Sequence, residues 1–145
     1  MRVRWEVRAF LVAVVMLAAG CGGDSPTSPT TGSGSTASTS HNAGRDCMGC
    51  HSFTVAGTVY RAGGAAIAPG AVVRLTTAPG GGGTVAATLT ADGSGNFYTA
   101  VPVSFGTGLF VTASGAGGAV RAMAAPPTTG ACNRCHSDGT RIVVD

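Results

Sequence analysis

Residues 53–77 read FTVAGTVYRAGGAAIAPGAVVRLTT, and this stretch decides the fold. Phe53, Val55, Gly57 and Val59 alternate with Thr54, Ala56, Thr58 and Tyr60. A period of two is that of a strand, whose successive side chains point to opposite faces. Gly63-Gly64 and Pro69-Gly70 are turn residues, and a second run follows them at 71–77. Outward from there, residues 84–90, 96–101, 109–114 and 119–124 are again rich in Thr, Val, Phe and Tyr. The breaks at 79–83, 92–95, 106–108 and 115–118 consist largely of Gly with Pro, Asp or Ser. No segment shows a helical stripe. Six or seven short strands at regular spacing predict a small antiparallel β-sandwich over 53–130.

The chain has 145 residues, enough for one domain. Gly and Ala number 24 each, without the three-residue Gly period of collagen. Charged residues are 10%, and all nine basic residues are Arg. Beyond residue 20 six Arg face five Asp, a net of +1, so no basic footprint for nucleic acid exists. Residues 53–130 hold four Phe, two Tyr, three Leu, one Ile and nine Val. That is a thin core, and small domains with thin cores need staples. Without such staples the chain is therefore expected to fold poorly.

The staples are legible at both ends of the sandwich. Cys47-Met48-Gly49-Cys50-His51 and Cys132-Asn133-Arg134-Cys135-His136 are two Cys-x-x-Cys-His motifs. In a c-type haem attachment each thiol adds to one vinyl group, and the adjacent His reaches the iron. His occurs three times in 145 residues, so chance would place one after both pairs about 4 times in 10,000. Zinc ribbons space their Cys pairs about 12–20 residues apart, whereas residues 51–131 intervene here. A discontinuous zinc site, two disulfides or a thiol redox pair remain the competing readings. Disulfides would leave both His without a role, and no βαβ pattern supports a redox pair. Haem at both motifs accounts for Cys47, Cys50, Cys132 and Cys135, with His51 and His136 as proximal ligands.

Low-spin haems need a sixth ligand, usually His or Met. His41 is the one remaining His. It is a ligand to its own haem, to the second haem, or to a haem on another copy; otherwise it is a linker residue. Of the Met beyond residue 20, Met48 lies inside its own attachment loop and Met123 is the other. Met123 is either surface packing or the second sixth ligand.

Residues 41–52 and 131–138 resemble the multihaem c-type cytochromes, which often carry a distal His and a short Gly/Asp segment before a motif. Residues 53–125 look like a carboxypeptidase-regulatory-like, or transthyretin-like, β domain. That family opens with a Gly-x-Val strand, here Gly57-Thr58-Val59. It continues with Gly-Ala-x-Val-x-Leu, here Gly70 to Leu75, and a Thr-x-Asp-Gly-x-Phe hairpin, here within 90–97. The run at 79–83 departs from the pattern. The resemblance implies a scaffold without a shared catalytic site.

Residues 1–8 are positively charged and 9–19 are apolar. Eleven apolar residues are too few to span a bilayer, so residues 1–20 are expected to be a secretory signal. Leu17-Ala18-Ala19-Gly20-Cys21 resembles the lipobox of bacterial lipoproteins, with Leu one place earlier than usual. The resemblance implies cleavage before Cys21, lipid on that residue, and an outer-membrane location, because Gly22 rather than Asp follows. The competing reading is an ordinary secreted protein cut near Ala19. Residues 22–40 hold six Ser, five Thr, four Gly and two Pro, a flexible tether.

The fold class expected is thus mainly β: a small antiparallel β-sandwich flanked by two loop-borne c-type haem-binding segments, 41–52 and 131–145. No hydrolytic or transferase site is legible, so no enzyme is expected beyond weak peroxidase activity. The expected function is extracytoplasmic electron transfer with two covalent haem c. The sandwich would act as a spacer between the haems. A mobile His41 would permit head-to-tail assembly, even into a chain or filament. Partners would be redox proteins or other copies, with the membrane reached through lipid. One five-coordinate haem would instead suit a sensor of gas or peroxide. An adhesion module stapled by zinc or disulfides is the third reading.

Overall fold

The computed structural model describes residues 40–145. The expected signal segment, Cys21 and the tether before Ser40 lie outside the described residues. Among the described residues eight strands form two four-stranded sheets. They are β1 (Val55–Arg61), β2 (Val72–Thr76), β3 (Val85–Thr90), β4 (Asn96–Thr99), β5 (Phe110–Ser114), β6 (Val120–Ala122), β7 (Gly130–Ala131) and β8 (Ile142–Val144). The second sheet runs β3-β2-β5-β6 and is antiparallel throughout. In the first sheet β4 lies antiparallel to β1, and β7 and β8 lie parallel to it.

The core lies between the sheets. Val55, Val59, Phe97 and Val144 of the first sheet cluster with Val73, Leu75, Leu89 and Ala113 of the second. Burying such side chains contributes roughly 1.5–3 kcal/mol for each Val, Leu or Phe. In β2 the alternation is clean, with Val73 and Leu75 buried and Arg74 exposed between them. The expected mainly β, sandwich-like fold is therefore observed; β2 to β6 fall inside their predicted runs, and β1 runs one residue past its own, to Arg61.

Three features within residues 53–130 differ from expectation. β1 is buried from Val55 to Tyr60 on both faces, because residues 40–52 cover the outer one. Phe53 precedes the strand and stacks on Tyr98 on that outer face, 4.8 Å between ring centres, instead of joining the core. The stretch 90–97 is no hairpin within one sheet. Asp92 Oδ1 accepts from the Ser94 and Asn96 N–H groups, and this turn carries the chain from β3 across to β4 in the other sheet.

The C-terminal residues extend the sandwich past residue 130. β7 pairs with Val55–Ala56 and β8 with Val59–Arg61, opposite the edge that β4 uses. Between them the chain leaves β1 for one helical turn, α1 (Cys132–Cys135), and returns. Gly57 makes this possible. A Cβ there would meet Phe97 Cζ at 2.5 Å and Cys132 Cβ at 2.9 Å.

Candidate functional site

Each Cys-x-x-Cys-His motif is one turn of helix, not a bare loop. Cys47–Gly49 is a 3-10 turn whose cap, Asp46, accepts from the Met48 N–H at 3.1 Å. Cys132–Cys135 is α1. In both, the His N–H donates to the carbonyl of the first Cys at 2.9 Å. In both, the first thiol lies against the carbonyl two residues earlier, Arg45 O at 3.5 Å and Gly130 O at 3.4 Å. Side chains three and four apart on a helical turn share a face. One turn thus sets two sulfurs and an imidazole side by side.

The expected spacer is not what the fold builds. The two turns are neighbours, because α1 and residues 40–52 both pack on β1. Asn133 Nδ2 donates to Arg45 O at 2.7 Å, and Arg134 Nε donates to Asp46 Oδ2 at 2.8 Å. Both residues lie between the cysteines of the second motif, and both hold the residues just before the first. The Cys47 and Cys132 thiols are close enough to act on each other electrostatically. The Arg134 guanidinium holds the Asp46 carboxyl below the usual carboxylate range.

Asn133 is buried in the gap between β7 and β8. Its Oδ1 accepts the Thr58 N–H at 3.0 Å, in place of a strand partner. Its Nδ2 also donates to Thr58 Oγ1 at 3.0 Å. Thr58 Oγ1 in turn accepts from the Gly44 N–H at 2.8 Å and donates to Asn96 Oδ1 at 2.6 Å. Asn96 Nδ2 reaches Ser40 Oγ at 2.8 Å and His41 O at 3.0 Å. Among the described residues, no buried side-chain polar atom lacks a partner.

The candidate ligands divide into two groups. The His41 and His51 rings stand 5.7 Å apart, and His51 stacks on Phe53 at 5.0 Å. Two imidazoles across one metal ion stand roughly 6 Å apart, given metal–nitrogen bonds of about 2 Å. His41 is also pinned by its own chain. Besides the Asn96 contact, the Ser40 N–H donates to Asp92 Oδ2 at 3.1 Å and Ser94 Oγ donates to Ser40 O at 2.6 Å. Ser40 and the His41 carbonyl are thus fastened to the turn between β3 and β4, at the place where the sequence reading expected a mobile His41. Met123 lies elsewhere, just past β6 on the second sheet, its N–H donating to Val111 O at 2.9 Å.

His136 Nδ1 lies 2.7 Å from Thr140 O. A carbonyl only accepts, so Nδ1 carries a proton, and in the neutral ring Nε2 is then the nitrogen with the lone pair. Metal-binding His side chains are oriented in this way. Thr140 Oγ1 donates to Cys135 O at 2.7 Å, which fastens the same turn.

The four thiols divide the same way in each motif. Cys47 and Cys132 are half-buried, while Cys50 and Cys135 are exposed. Burial pushes the Cys47 thiol up, and pushes Cys132 up to about 11. No disulfide joins the four cysteines. No group of three or more His, Cys, Asp or Glu that could hold a metal ion occurs among the described residues.

Asn133, Thr58, Asn96 and Thr140 carry no functional signal in the sequence; Asp92 lies in a legible turn. No protein-family model, curated protein or solved structure matches the chain.

Proposed function

We propose that the chain is an extracytoplasmic electron carrier, a lipid-anchored protein of the c-type cytochrome kind holding two covalent haems side by side. Cys47, Cys50 and His51 would hold one haem, with His41 as its sixth ligand. Cys132, Cys135 and His136 would hold the other. When bound, haem supplies reversible one-electron chemistry at its iron. The chain's own residues fasten, ligate and orient. The His136 ring carries the reading: its Nδ1–H donates to Thr140 O, which in the neutral ring leaves Nε2 to act as a ligand beside two cysteines on one turn. The adjacency of the two turns supports transfer within the molecule. Cys21, by its likeness to a lipobox, would anchor the chain at the outer membrane, and redox proteins or further copies would be its partners. No enzyme activity is assigned.

A second reading follows from the position of Met123. His41 stands beside His51, where this reading spends it on the first haem, and Met123 lies just past β6 on the other sheet. The iron held by His136 would then bind a small gas or peroxide, or a ligand from another copy in a head-to-tail chain.

The test is expression in a host that matures c-type cytochromes. Two haems surviving denaturation, counted by haem stain and by mass, support both readings. Two low-spin centres favour the carrier; one high-spin centre that takes up carbon monoxide favours the second reading. Colourless mature protein overturns both, and leaves the zinc or disulfide module.

A further inference from the structure

We infer that Asn133, although it lies within the second motif, is a positioning residue for ligation at the first. The inference rests on the haem reading above. Residues 41–45, which bring His41 to His51, are held at three backbone groups. Asn96 holds His41 O, Thr58 holds the Gly44 N–H, and Asn133 holds Arg45 O. Asn133 is the member contributed by the second motif, and it joins the other two through Thr58 Oγ1.

The orientation of this network is fixed. The Thr58 N–H only donates, and Arg45 O only accepts. The Asn133 amide therefore has one orientation that satisfies both, and its two N–H donors are both used. Thr58 Oγ1 spends its single proton on Asn96 Oδ1 and accepts twice. Asn133 is also 5% exposed, so water cannot replace a lost partner without opening the gap in the sheet. Loss of its donors frees Arg45 O and removes one of the two donors to Thr58 Oγ1. The segment carrying His41 then loosens while Cys132, Cys135 and His136 keep their own turn.

The test uses the haem-loaded full chain with Asn133→Asp and Asn133→Ala, and His41→Ala as reference. The Asp variant keeps the shape and the acceptor for the Thr58 N–H but loses both donors. The Ala variant loses the same donors without burying a carboxylate against Arg45 O, so each variant guards against the other simply failing to fold. Haem count by mass, absorption and electron paramagnetic resonance are read together with the thermal midpoint. In each folded Asn133 variant two haems stay attached, and at least half of the low-spin signal that His41→Ala removes is lost. A lower thermal midpoint with unchanged spectra overturns the inference, since that is what a merely structural side chain would give. A silent His41→Ala overturns it together with the ligand assignment. Haem-free wild-type protein overturns the functional reading itself.

Discussion

At Cys132 the two states of the thiol can be told apart by pH. Burial pushes it up to about 11, against about 8.5 in an unfolded chain. Folding thus favours the neutral thiol. Its contribution is complete below about pH 8.5 and is lost as the pH climbs towards 11. The amount is on the order of 3 kcal/mol. Urea unfolding of haem-free protein at pH 7 and pH 10.5 should show this loss, and haem-loaded protein, whose sulfur is a thioether, should lack it. The same burial makes Cys132 slow to alkylate at pH 8, on the order of 10²-fold slower than a solvent thiol. Beneath it, Gly57→Ala would drive a methyl group into Phe97 and Cys132. Overpacking of this kind costs about 1–3 kcal/mol, read as a lower urea midpoint at unchanged slope. The cysteines and histidines were legible because they recur at one fixed spacing, the spacing that the proposed attachment chemistry would require. Asn133 was not, because the motif leaves its position open. Its role comes from Thr58, 75 residues away in the chain.

Among the elements, β8 departs most from the sequence reading. Residues 142–144 read as the end of a haem-binding tail, yet Val144 is 1% exposed and belongs to the core cluster. Three residues give too short a pattern to separate strand from tail, and a parallel pairing with β1 has no local signature. The earlier strands were legible because each alternates and ends in turn residues. Val144→Ala should therefore destabilise the whole domain by roughly 2 kcal/mol, the cost of a core cavity. A tail residue would change the midpoint by nothing measurable. The segment between α1 and β8 is fastened too. Arg141 lies over the Tyr60 ring at 4.6 Å and donates to Gly64 O. It also pairs with Asp138. The second motif is thus an insertion between two strands on one edge of β1, which holds His136 and Thr140 in register with the sheet.

In the whole molecule, the core and the site use opposite faces of β1. Val55 and Val59 face the core, while Thr58 and Tyr60 face the segments that carry the motifs. This division changes what loss of haem should do. The count of large apolar residues suggested a core too thin to stand without macrocycles. The cluster closes between the sheets from side chains alone, with Cys132 at its border. Haem bound at the two motifs, whose Cys50 and Cys135 are exposed and of which Cys132 touches the core at its border, would add most of its surface outside that cluster. The haem-free chain is therefore expected to keep its sandwich and to loosen at 40–52 and 132–140. Native-state hydrogen exchange separates the two outcomes. Slow exchange confined to β1, β2, β4 and β5, with fast exchange at both motifs, supports the division. Uniformly fast exchange would mean that the macrocycles complete the core, as the composition first suggested. The haem-loaded protein should protect both segments together, because Asn133 and Arg134 tie the second motif to the residues before the first.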